Sequence, residues 1–241
     1  MLKLLLTCEH GGNLIPSAYA PLFHGQEEVL ETHQGYDIGA LELFNTLKSV
    51  SDISFYSETS RLLVELNRSL HHARLFSEYT QVLPPAEKER LLKKHYKPYR
   101  DEVEQMVSDF VSAGRRLLHV SVHTFTPELD GEVRQADIGL LYDPKRKYEQ
   151  AYSKEWKAAL NKADKNLLVR FNYPYLGISD GFTTYLRRKF TEKEYVGIEL
   201  EVNQKFPQQG GAAWQELQDV LASTLQNVVH CKSSLLSEKS I

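Results

Sequence analysis

The chain has 241 residues, 41% hydrophobic and 25% charged, with 29 Lys and Arg against 32 Asp and Glu and a formal net charge of −3. That is ordinary globular composition, enough for one large domain or two small ones, and the mild acidity removes the electrostatic case for a nucleic-acid partner. Cys8 and Cys231 are too few and too far apart for a disulfide framework, the apolar run after Met1 is too short for a signal peptide, and no stretch approaches the roughly 20 apolar residues of a membrane span; the expectation is a soluble, cytoplasmic protein with no membrane partner.

In chain order, Leu2 to Cys8 is a near-continuous apolar run suited to a strand buried on both faces. Gly11 to Pro16 is loop, and Tyr36 to about Ser49 is a helix with Leu41, Leu43, Phe44 and Leu47 as its apolar stripe and Asp37 near its start. Short strands are expected at Ile53–Tyr56 and Leu62–Leu66. Pro84-Pro85 opens a helix from Ala86 to His95, Pro98 interrupts it, and a second helix runs from Tyr99 to Ala113 before Gly114. The basic residues between Lys88 and Arg100 are interleaved with Glu87, Glu89 and Asp101, as on a solvated helix face.

Strands follow at Arg116–His123 and Ile138–Tyr142, a helix at Tyr148–Ala163, a strand at Leu167–Phe171, a loop over Asn172–Phe182, a short helix at Thr183–Phe190 and a strand at Tyr195–Val202. After Gly210-Gly211 an amphipathic helix runs to about Val229. Strands alternating with helices predict an α/β fold with a mostly parallel sheet. No linker divides the chain, so a single domain over 1–231 with a polar tail at 232–241 is expected.

The chemistry-bearing residues gather where strands end. The first strand runs into Glu9-His10-Gly11-Gly12-Asn13, the strand at 116–123 ends at His123, and the strand at 195–202 carries Glu199 and Glu201. In open α/β sheets ligands bind outside the carboxyl ends of the strands. Two histidines and a carboxylate from separate loops suit one catalytic zinc ion, which takes three protein ligands and leaves a position for water. Glu9, His10 and His123 are the expected ligands, and Glu201 or Glu199 the base that takes a proton from the water and passes it to a leaving amine. Period-two alternation puts Glu199 and Glu201 on one face, so position alone does not separate them. His119 shares the face of His123 but lies deeper and fits a hydrogen-bonded core residue; His33, His71, His72, His95 and His230 fit surface or packing positions.

Arg61, Arg68 and Arg134 flank these segments, and a guanidinium fork matches a carboxylate, so the expected partner is a small molecule with carboxylate groups. The glycine-punctuated loop at 172–181 is placed to cover the site.

The ordered set "TCEHGGNLIP", "HQGYDIGA", "TSRLLVELNRS", "VSVHTFTP", "RQADIGLLYDPKR", "NYPYLGISDGFTTYL" and "GIELEVNQ", spanning residues 7–204, resembles the N-formylglutamate amidohydrolase family. The resemblance implies a phosphorylase/hydrolase-like three-layer αβα fold related to the zinc carboxypeptidases and aspartoacylases. It also implies metal-dependent hydrolysis of an N-acyl amino acid, in the named reaction N-formylglutamate to formate and glutamate. Carried over, the family's first metal motif falls on Glu9-His10, its second histidine on His123, its late acid on Glu201 and its arginine motif on Arg61 and Arg68, with Asn13 beside the substrate. Zinc carboxypeptidases carry an acid three positions after the first histidine, where this chain has Asn13. Glu9 then serves either as the replacement ligand, with Gly11 and Gly12 permitting a sharp turn, or as a group that orients a ligand from behind. Two other functions remain open at this point: a zinc peptidase or amidase for a larger substrate, favoured by a wide uncovered cleft, and a non-catalytic binding protein on the same fold.

Overall fold

The computed structural model describes residues 2–235, with side-chain surroundings through residue 230. Its centre is a six-stranded sheet. In chain order the strands are β1 (Leu2–Cys8), β2 (Ile53–Tyr56), β3 (Arg116–Phe125), the two-residue β4 (Glu128–Leu129) and β5 (Glu132–Val133), β6 (Ile138–Leu141), β7 (Val169–Phe171) and β8 (Tyr195–Asn203). The main sheet has the order β2-β1-β3-β8-β6-β7, while β4 and β5 form a separate small hairpin. Neighbours pair in parallel except β6 with β8, which is antiparallel. The sheet is therefore mixed and mostly parallel, as the alternation of strands and helices predicts.

Helices cover both faces. They are α1 (Ala40–Leu47), α2 (Glu78–Gln81), α3 (Pro85–Leu91), α4 (Lys97–Ser112), α5 (Lys147–Ala163), α6 (Phe182–Lys189), α7 (Lys205–Gln209) and α8 (Gly211–Leu235). Leu4, Leu6 and Cys8 of β1, Leu118, Val120 and Val122 of β3, and Val196, Ile198, Leu200 and Val202 of β8 pack with α1, α5 and α8 in the main core. The alternate residues Leu5, Leu117 and Tyr195 pack with α4 and α6 on the other face. Because side chains alternate along a strand, the odd-numbered positions of β1, β3 and β8 all look toward α4 and α6. His123, Glu199 and Glu201 belong to that set. A sheet buried on both faces explains why its strands read as continuous apolar runs rather than alternating ones.

Three sequence expectations change. Leu62–Leu66 is buried but not a strand. Its backbone turns locally, with Leu63 N–H donating to Ser60 O and Arg68 N–H to Glu65 O. An apolar run has the composition of a strand whenever it is buried, ladder or not. Pro98 does not break the helical segment: it lies in the first turn of α4, where a missing N–H is harmless, and one π-helical turn at Leu92–Tyr96 joins α3 to α4. The last helix runs on through Leu235, into the segment expected as a tail, and residues 236–241 lie outside the described residues. Among the described residues no helix is long and apolar enough to cross a membrane.

Candidate active site

Three separate segments meet at the carboxyl edge of β1 and β3. His10 follows β1 directly. The Asp37 N–H donates to the His10 carbonyl at 3.0 Å, which ties the segment before α1 to this strand end. His123 lies near the end of β3. The Asp37 Oδ2 atom sits 3.2 Å from His10 Nδ1 and 2.9 Å from His123 Nδ1, and the two imidazole centroids are 4.9 Å apart. All three side chains are buried, and one donor atom from each lies within 4.8 Å of the others. Two imidazole nitrogens and a carboxylate oxygen at this spacing could hold a divalent metal ion.

The far nitrogen of each ring is backed by a carboxylate. His10 Nε2 bonds Glu65 Oε1, and Glu65 is itself held by Arg61. His123 Nε2 lies 2.8 Å from Ser121 Oγ and 3.3 Å from Glu9 Oε2. Metal-binding histidines characteristically give their second nitrogen to a carboxylate, which fixes ring orientation and raises basicity. The arrangement therefore fits a metal for a second reason, independent of the inward donors. Burial disfavours charge on Glu9, but hydrogen bonds from His123 and Ser121 outweigh it and hold its carboxyl well below the usual range. Burial likewise opposes ionisation of Asp37, and the two histidines and Arg61 overcome it.

Glu9, expected as a ligand, points away from this convergence. Its carboxylate accepts from Ser121 Oγ at 2.6 Å and from Tyr99 of α4 at 3.1 Å, and it does not line the cavity described below. Glu9 shares the sheet face of His123, and on that face Ser121 and Tyr99 take up its carboxylate. The following glycines do not form a left-handed turn. A side chain at Gly12 would stand 2.6 Å from the Glu58 carbonyl, so Gly12 allows that segment to pack against the loop.

The third strand brings the acids. Glu199 and Glu201 face the same cavity from β8, with Glu201 in register with His123. Glu199 accepts a hydrogen bond from Thr183 of α6. Glu201 is only 6% exposed, and among the described residues its Oε2 has no hydrogen-bond partner. Burial pushes its carboxyl up to about 8; His123 and Arg61 act against this, and the charges of Asp37 and Glu199 add to it. Gly139 on β6 stands opposite Glu201, and a side chain there would overlap the Tyr173 carbonyl at 2.0 Å. Its bareness lets the 172–181 loop settle over the sheet edge.

These groups line one cavity of about 300 Å³. Of the sequence-expected residues, His10, His123, Glu199, Glu201, Arg61 and Arg68 line it, whereas Glu9, Asn13 and Arg134 do not. Arg61 is committed within the protein, to Asp37 at 3.0 Å and Glu65 at 2.5 Å. Asn67 holds the opposite wall, accepting from Phe182 N–H at 2.6 Å with its amide 3.5 Å from His123 Nε2. Tyr175, Leu176, Ser179 and Asp180 of the 172–181 loop complete the wall, as the glycine-rich sequence predicts. His119 is a core residue, bonded at 2.7 Å to both Thr7 Oγ1 and the Tyr195 hydroxyl. Sequence reasoning missed Asp37, Glu65 and Arg74. Asp37 looks like a helix N-terminal acid, yet α1 has no side-chain cap.

The sequence profile of the N-formylglutamate amidohydrolase family matches residues 2–206. Among solved structures, a gene product of Agrobacterium tumefaciens is 26% identical, aligned over 98% of this chain and 92% of that one, with a TM-score of 0.78. The N-formylglutamate amidohydrolase of Ralstonia eutropha is 16% identical over 95% of this chain and 93% of its own, with a TM-score of 0.69, and shares the fold. No curated protein matches the chain in sequence. With the profile spanning all the strands and most of the helices, the chain belongs to the N-formylglutamate amidohydrolase family.

Proposed function

We propose that this protein is a metal-dependent amidohydrolase that cleaves N-formyl-L-glutamate to formate and glutamate. One observation carries the reading. A His-Asp-His convergence, each histidine backed by a carboxylate, shares a cavity of about 300 Å³ with a buried carboxylate whose Oε2 has no partner. That volume is at the small end for ligand pockets and suits an N-acyl amino acid better than a large peptide.

His10, Asp37 and His123 would hold the ion, with Glu9 and Glu65 orienting the histidines. A divalent ion there supplies Lewis acidity for the formyl carbonyl and lowers the pKa of water. Glu201 is the general base: it faces the cavity, and burial gives it a proton affinity near neutral pH, where proton transfer in both directions is efficient. It takes a proton from the attacking water and returns it to the departing amine. Glu199, already bonded to Thr183, shapes the field around Glu201. Asn67 and the 172–181 loop position the substrate and exclude bulk water.

A non-catalytic binding protein would have no use for a buried acid with an oxygen left unpartnered, since such a group is destabilising unless it works. Formate release from N-formylglutamate, measured with zinc supplied and after complete chelation, tests the reading. Release that needs the ion is expected. Full activity after metal removal would refute the metal role, and no release with any divalent ion would refute the substrate.

A further inference from the structure

Two guanidinium groups lining the cavity, those of Arg68 and Arg74, form no ion pair with any carboxylate among the described residues. Arg68 donates to the Asp180 carbonyl, while Arg134 stands outside the lining and donates to the hydroxyl of Tyr175, which does line the cavity, at 3.1 Å. Among the described residues the exposed side chain of Arg74 has neither a hydrogen bond nor an ion pair nor a ring contact. Its backbone is nonetheless fixed. Arg74 N–H bonds His72 Nδ1 at 3.1 Å, and the next residue, Leu75, is buried and accepts the Glu65 N–H at 3.0 Å. Arg74 is thus anchored one residue from Leu75, whose carbonyl holds the backbone of Glu65 behind His10. Arg68 and Arg74 also both line the adjoining cleft that contains Arg61 and Glu65, which puts the two on one shared rim.

We propose that Arg74, with Arg68 beside it, binds the side-chain carboxylate of an acidic N-acyl amino acid and sets the preference of the site for substrates with two carboxylates. The position of the amide in this scheme rests on the amidohydrolase reading above. An anchored cation with no internal partner at the edge of a cavity is poised for a bidentate carboxylate, and an arginine fork is the side chain best shaped for it. Arg61 cannot do this, because Asp37 and Glu65 already neutralise it.

Calorimetric binding of glutarate and of butyrate to the zinc-loaded protein tests the proposal without turnover. The expected preference for the diacid is on the order of tenfold or more. Arg74→Met should remove most of that preference, and Arg74→Lys should retain part of it. A wild-type protein that binds both acids alike, or an Arg74→Met protein that keeps the preference, overturns the proposal. Formate release by the wild type is measured separately. Failure there with an Arg74-dependent glutarate preference would sink the proposed reaction and leave the carboxylate site standing; the converse result would do the opposite.

Discussion

Replacing Glu201 by Gln should inactivate the protein and, in the metal-stripped state, make it more stable. Burial raises the Glu201 carboxyl from an ordinary 4.5 to about 8. A carboxyl with a folded-state pKa raised in this way contributes stability that is complete below 4.5 and is lost as pH rises through about 8, because the unfolded chain ionises first. At about 1.36 kcal/mol per unit, the loss is under about 1 kcal/mol at pH 5, about 3 kcal/mol at pH 7 and about 5 kcal/mol at pH 9. Gln has no such titration. It leaves an amide in place of the unpartnered Oε2, a cost that does not change with pH. Urea unfolding of chelator-treated wild type and Glu201→Gln at pH 5, 7 and 9 reads the difference directly. The stability gap should swing in favour of the variant by several kcal/mol across that range, while formate release from the zinc-loaded variant falls by about 10²–10⁴-fold. A gap that does not change with pH, or a variant that becomes relatively less stable at pH 9, refutes the claim that burial raises the Glu201 carboxyl.

Other measurements separate the roles around the histidines. Asp37→Asn should abolish stoichiometric zinc, whereas Glu9→Gln should weaken zinc binding only about 10–100-fold; the reverse order in elemental analysis would make Glu9 the ligand. His119, held neutral by burial, has its pKa lowered from 6.5 to about 4. A depressed histidine contributes stability present above 6.5 and lost as pH falls toward 4, about 3 kcal/mol in all. His119→Gln should flatten the acid limb of the stability profile in that window, and parallel losses in parent and variant would show that another group titrates there.

The strands and their order of use were legible because burial on both faces writes an apolar run into each of them, and β1, β3 and β8 are the clearest runs in the chain. The same signal misled at Leu62–Leu66, where burial comes from packing against Tyr19, Leu75 and Leu91 rather than from strand pairing. Pro98 misled for a different reason. A proline excludes helix interior but not a first turn, and sequence does not say that the preceding segment can take up a π turn and restart.

The site shows where reading along the chain fails and reading along the strand succeeds. Glu9 and His10 are adjacent in sequence, which makes a joint ligand role attractive, but successive residues leaving a strand point to opposite sides. Applied through residue 9, the alternation that separates Leu4 and Leu6 from Leu5 and Thr7 sends Glu9 toward α4 and Tyr99. It therefore approaches His123 from behind, through Nε2, rather than joining it at Nδ1. The oxygen that meets both Nδ1 atoms comes from Asp37, 27 residues after His10, in a loop tied to the end of β1 by the Asp37 N–H to His10 carbonyl bond. Sequence spacing carries no trace of that contact. The requirement it meets was nevertheless visible: two strand-end histidines needed an acid, and the acid had to come from a segment free to approach from outside the sheet. Asp37, which precedes a helix that it does not cap, supplies the oxygen that meets both Nδ1 atoms, whereas the Glu9 carboxylate is taken up by Ser121 and Tyr99.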